Sequence, residues 1–186
     1  LANFRKEFTY ACEQCELMVF SGSIPQGVPV DIYAQLIAEC RQLGIKTLLD
    51  TSGEPLKEAV LAKPTIIKPN KKELEYLVGR KLPDRESIVK EAKALVAEGI
   101  EKVVVSLGEE GLLYMDTDTV IFEPAKKVKA VNTVGCGDSV VASFCMSEVA
   151  GEDAVLAMQK AVALSAANAT TKGSAEIPLN TYLDLL

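Results

Sequence analysis

Four consecutive residues, Gly135, Cys136, Gly137 and Asp138, present the clearest chemistry in this chain. Two glycines allow a tight turn and bring bare N–H groups close to a ligand. The run that follows, Val140-Val141-Ala142-Ser143-Phe144, suits a helix. The turn is therefore expected at a helix N-terminus. Free N–H groups and the helix dipole favour an anion there, above all a phosphate. A carboxylate beside such a site is unfavourable unless it has chemistry to do or a metal to hold. The simplest task for Asp138 is to take a proton from an attacking hydroxyl. The plainer alternative is an acidic residue in a first helical turn, where it complements the dipole.

A second group is Lys68, Asn70 and Glu73. Asn70 and Glu73 are spaced to share one face of a helix. Asn is a favoured cap and Glu three residues later completes a capping box, which explains the pair without a ligand. Lys68 is placed to reach a phosphate, or else is a solvated charge. Ser106, Gly108 and Gly111 describe a strand running into a turn, where glycine is ordinary. Asn168 stands in Ala166-Ala167-Asn168-Ala169. Such small residues either pack helix on helix or let a flat adenine approach, with the Asn168 amide at its edge.

These residues need elements to position them, and strand-like and helix-like stretches alternate along the chain. Leu17–Phe20, Thr47–Leu49, Thr65–Ile67 and Lys102–Ser106 are short apolar runs that read as strands. Lys102–Ser106 is nearly all apolar, as in a strand buried on both faces. Helical spacing runs from Pro29 to Leu43, Lys71 to Val78, Asp84 to Glu98, Asp138 to Val149 and Asp153 to Thr171, with a short last helix from Thr181. Residues 111–115 and 119–122 form a hairpin around Asp116-Thr117-Asp118. The alternation predicts an α/β fold, a mostly parallel sheet flanked by helices. Ligands of such sheets bind at the carboxyl ends of the strands, where the loops named above would converge.

Composition narrows the partners. The chain has 186 residues, 48% apolar and 25% charged, with a net charge of −6. One domain is the natural size, and the acidic balance argues against nucleic acid as the main partner. No apolar run approaches the length of a membrane span. Five cysteines, an odd number with no repeating framework, fit a reducing cytoplasm. Cys12 and Cys15 form Cys-x-x-Cys, but the chain has no histidine and no second such pair. They read as two small half-buried residues one helical turn apart rather than a zinc site. The opening residues lack an initiator Met and a signal-like apolar stretch, as if cut from a longer chain.

Taken together, Gly135–Ser139, Ser21-Gly22-Ser23-Ile24-Pro25, Lys68-Pro69-Asn70-Lys71-Lys72-Glu73 and Ser106–Gly111 resemble, in order, the signatures of the ribokinase-like (phosphofructokinase B) carbohydrate kinases. The resemblance runs from about residue 16 to the end. The Val-Gly-x-Gly-Asp-Ser form, with Asp50-Thr51-Ser52-Gly53, leans toward the branch of 1-phosphofructokinase and tagatose-6-phosphate kinase. Cys136 stands where Ala or Ser is usual, and Ser143 where glycine is common. The resemblance implies ATP and Mg²⁺ as cofactors and a sugar phosphate as acceptor. It assigns Asp138 the role of general base and Gly135, Cys136 and Gly137 the anion hole. It places Lys68, Asn70, Ser106, Gly108, Gly111 and Asn168 at the nucleotide and Glu73 near the metal. Nothing here resembles the family's N-terminal strands, sugar contacts and lid. Residues 1–186 are thus expected to be a single partial domain, the nucleotide-binding C-terminal portion of a kinase, inactive alone. Partners would then be a second copy or the N-terminal portion. The alternative is a non-catalytic nucleotide-binding module derived from such a kinase.

Overall fold

The computed structural model of the protein describes residues 2–186. Six strands form one sheet in the order β1 (Leu17–Ser21), β2 (Lys46–Asp50), β3 (Ile66–Ile67), β4 (Lys102–Ser106), β5 (Gly111–Met115) and β6 (Val120–Pro124). The first four run parallel, and β5 and β6 return antiparallel. Sequential order has a topological consequence. Right-handed crossovers that always step the same way keep their helices on one face. Those helices are α2 (Ile32–Gln42), α3 (Gly53–Leu61), α4 (Lys71–Val78) and α5 (Arg85–Ala97), joined by α1 (Ala2–Cys12) before the first strand.

The other face is left for later chain, and α6 (Cys136–Ala150) and α7 (Ala154–Ala169) cover it. Side-chain alternation along the strands shows both layers. Leu49, Ile67, Val103, Val105, Leu113 and Met115 pack toward the first group, with Leu36, Ile37 and Leu74. Leu48, Ile66, Val104, Leu112 and Tyr114 face Val140, Phe144, Met158 and Val162 of α6 and α7. A short α8 (Leu179–Leu185) ends the chain against α7. No helix among the described residues is long and apolar enough to cross a membrane.

Most expected elements are present within a residue or two. Two helices were not anticipated. The opening residues form α1, whose Phe8 and Cys12 pack on Phe20, Ile37 and Cys40. Beyond the β2 exit loop the chain enters α3 directly, burying Leu56, Ala59 and Val60 against α2. Its Gly-x-Pro start reads as a turn, though proline is tolerated in a first helical turn and Leu56–Leu61 continue it as helix. Cys12 closes α1 and is buried, whereas Cys15 lies past the helix and is half-buried.

Candidate active site

The carboxyl ends of β1 to β4 deliver four loops to one end of the sheet. Backbone bonds lace them together. The Gly22 N–H donates to the Asp50 carbonyl at 3.0 Å, and Thr51 Oγ1 donates to the Gly22 carbonyl at 2.7 Å. The Lys68 N–H donates to the Leu49 carbonyl at 3.0 Å, and the Ser106 N–H to the Pro69 carbonyl at 3.0 Å. Asn70, past the end of β3, forms an isolated parallel bridge with Ser106, the last residue of β4. The β3 and β4 loops are therefore held as one surface.

Helix α6 begins on that surface. Gly135 is its cap residue with φ 86°, a left-handed conformation that favours glycine. Asp138 sits in the first turn and is exposed, as are the Gly137 backbone atoms. The turn is braced from behind by Asn168, which is fully buried. Its Nδ2 donates to the Val134 carbonyl at 2.9 Å and to Cys136 Sγ at 3.4 Å. Its Oδ1 accepts from the Ala175 N–H at 2.8 Å. The carboxamide thus faces the turn and the loop after α7, not an open adenine site. Cys136 Sγ donates to the Ser165 carbonyl at 3.4 Å. The thiol fastens the turn to α7, and the Cys136 N–H donates to the Thr133 carbonyl at 3.2 Å, so Cys136 does not present its amide as part of the expected anion hole.

Lys68 is not the solvated charge that a lone lysine suggests. It is 5% exposed and pairs with Asp50 at 3.1 Å. Its Nζ lies 3.6 Å from where a Cβ on Gly137 would stand, so the ammonium sits under the glycine turn. Burial pushes the Asp50 carboxyl up, with Lys68 opposing and the negative charge of Asp138 adding to the rise. The site thus places the Lys68 ammonium against Asp50 and close to the turn that carries Asp138. Asp50 was missed as a site residue from sequence. The available signal was an acidic residue ending an apolar strand at the carboxyl edge of a parallel sheet.

Asn70 and Glu73 form the capping box of α4. Asn70 Oδ1 accepts from the Glu73 N–H at 3.0 Å, and Glu73 Oε2 accepts from the Asn70 N–H at 2.8 Å. Among the described residues no group of three or more His, Cys, Asp or Glu is arranged to hold a metal ion. A lone half-buried carboxylate still suits magnesium, which keeps several waters and takes few protein ligands. Gly108 opens a one-turn 3-10 helix at the end of β4, with open space around it. Gly111 has φ 123°, and a Cβ there would stand 2.1 Å from the Glu123 carbonyl oxygen. The pairing of β5 with β6 therefore demands glycine at 111.

Residues 2–181 match the pfkB family carbohydrate kinase description. The chain is 36% identical over 171 residues to 1-phosphofructokinase of Haemophilus influenzae, covering 90% of this chain and 55% of that protein. It superposes on Escherichia coli phosphofructokinase-2 in complex with substrates and products with a TM-score of 0.90 and 32% identity, covering 98% of this chain and 60% of that one. Arabidopsis thaliana ribokinase complexed with ribose and ATP shares the fold at a TM-score of 0.82 and 22% identity, covering 97% of this chain and 58% of that one. The chain thus spans little more than half the length of these relatives. On the family match and the shared fold, this chain belongs to the pfkB family of carbohydrate kinases.

Proposed function

We propose that residues 1–186 are one partial domain, the nucleotide-binding portion of an ATP-dependent sugar-phosphate kinase. The acceptor is a ketose phosphate, with fructose 1-phosphate the first choice and tagatose 6-phosphate the second. The observation that carries this reading is the Lys68 ammonium, paired with Asp50, beneath the glycine turn that presents Asp138. The similarity to a 1-phosphofructokinase supports the order of the two sugars.

In this reading the sugar-phosphate hydroxyl attacks the γ-phosphorus of ATP and ADP leaves. Asp138 takes the hydroxyl proton as the new O–P bond forms. The transferring group spreads charge over its equatorial oxygens, and catalysis is mostly positioning and electrostatics. The amides of Gly135, Gly137 and Asp138 face that charge, Cys136 holds the turn to α7, and Lys68 adds a fixed cation. Ser106, Gly108 and the turn closed by Gly111 run along the nucleotide. Asn70 caps the helix at the phosphates, and Asn168 acts through the turn it braces. Magnesium, when bound, would neutralise phosphate charge, with Glu73 holding it through water.

The test is ADP release with each sugar phosphate, in the protein with the N-terminal portion present. Asp138→Asn should lower kcat by a factor of about 10² or more with little change in ATP affinity. Near-normal turnover in that variant removes Asp138 from the mechanism. ATP binding without turnover on either sugar favours the non-catalytic module.

A further inference from the structure

The opposite end of the sheet holds a feature the kinase reading does not use. A pocket of about 590 Å³ opens at the amino ends of β1 and β2, lined in part by Cys12, Cys15, Glu13, Glu16, Lys46 and Glu148. It lies a strand length from the glycine turn, about 16 Å along β2. Two thiols spaced Cys-x-x-Cys share its wall, and a third, Cys40 of α2, contacts Cys12 from the core side.

We propose that this pocket is a thiol-modification site, in which Cys15 reacts with a small neutral or cationic disulfide and Cys12 then closes a Cys12–Cys15 bond. In the first step the Cys15 thiolate attacks one sulfur of the disulfide. A Cys15–S bond forms, the reagent's S–S bond breaks, and the leaving thiolate takes a proton from water. In the second step Cys12 gives up its proton to solvent and attacks the Cys15 sulfur. The Cys12–Cys15 bond forms and the second reagent thiolate leaves. Two protein thiols are oxidised, and one disulfide is reduced to two thiols.

The order follows from access. Cys15 is half-buried on the pocket wall, whereas Cys12 is 5% exposed and Cys40 fully buried. Burial pushes the Cys12 thiol up, and a hydrogen bond from Cys40 opposes that rise. Burial, with Cys12 beside it, pushes Cys40 up to about 12. Cys40 therefore stays a thiol. Cys145 is pushed up to about 11 by burial in its own surroundings, so it competes poorly. Charge sets the reagent. The pocket carries Glu13, Glu16 and Glu148 against Lys46, with Lys102 also paired to Glu148, which leaves a smaller excess of negative charge that repels anionic disulfides.

The test uses the chain with cystamine, a dication, and oxidised glutathione, an anion. Each rate is divided by that of the same reagent on the urea-unfolded chain. Cleavage after Glu13 and Glu39 separates the three cysteines for mass analysis. The expected result is a Cys12–Cys15 bond, with cystamine favoured about tenfold at low salt and less at high salt. Cys12→Ser should trap cysteamine on Cys15, and Cys15→Ser should leave Cys12 reduced. Cys15 lies in an irregular, half-buried turn, and thermal unfolding of Cys15→Ser checks that its fold is kept. A Cys12–Cys40 product, first modification at Cys136 or Cys145, or equal normalised rates for the two reagents would overturn the proposal.

Discussion

A buried lysine needs a counter-charge, and Lys68 has one in Asp50 at 3.1 Å. That pair fixes where positive potential sits in the site, because neither group can swing into solvent. The same economy of space governs Gly111. Its carbonyl accepts from the Leu107 N–H at 2.9 Å, and its missing side chain lets β6 approach. Gly111→Ala should destabilise the chain by about 2–4 kcal/mol, because the clash is with backbone and the conformation is left-handed. Urea unfolding checks this. A loss below about 1 kcal/mol would mean that the hairpin shifts freely to admit a methyl group.

Among the elements, α6 is held at both ends. Its first turn is braced by Asn168, and near its last turn Glu148 bonds Lys46 of β2 at 2.7 Å and Lys102 of β4. Burial disfavours the Glu148 charge, but hydrogen bonds from Lys102 and Lys46 outweigh it and hold the carboxyl below its ordinary value of 4.5. A depressed carboxyl stabilises the fold above its unfolded pKa, and that contribution is lost as pH falls through the folded value. Asp50 acts in the opposite sense. Its raised pKa gives a contribution present below the ordinary 3.8 and lost as pH rises through the folded value. Glu148→Gln should cost roughly 1–2 kcal/mol at neutral pH, Lys46 being half exposed and its share screened. The variant should also lose less stability than the parent on acidification below 4.5. Thermal unfolding across that range is the measurement, and parallel pH curves would remove Glu148 as the source. Helix α4 offers a cleaner separation of roles. Glu73→Gln keeps an acceptor for the Asn70 N–H, so the cap survives while the charge goes. Magnesium should then strengthen ATP binding less in the variant than in the parent. Calorimetry showing the same metal dependence in both would refute the metal role of Glu73.

Across the whole molecule, the sheet has two edges, β1 and β6. Among the described residues β1 pairs with β2 alone, and Val19 at its centre is 39% exposed. Unpaired strand edges and apolar side chains favour association. Phosphoryl transfer depends on positioning both substrates and excluding water. The chain, spanning 55% of the Haemophilus influenzae relative, should therefore show no sugar-phosphate-dependent ADP release alone. At micromolar concentration it should self-associate or bind the N-terminal portion. Sedimentation and a coupled assay read both halves. Sugar-dependent turnover by a well-behaved monomer would contradict the prediction.

The sequence by itself determined what depends on near neighbours. The glycine turn before α6, the Asn70–Glu73 cap and the strand–helix alternation each rest on residues a few positions apart, whose backbone needs are written in their types. The sheet class followed, because alternating elements of that length pack in few ways. Only the tertiary structure decided which distant groups meet. Lys68 finds Asp50, Asn168 finds Val134 and Cys136, and Glu148 finds Lys46 and Lys102, all across separate elements. Periodicity tells a side chain which face to take but not who stands opposite. Helices α1 and α3 stayed hidden for the same reason. Short helices are marginal by themselves, and burial of Phe8, Cys12, Leu56, Ala59 and Val60 against other elements holds them.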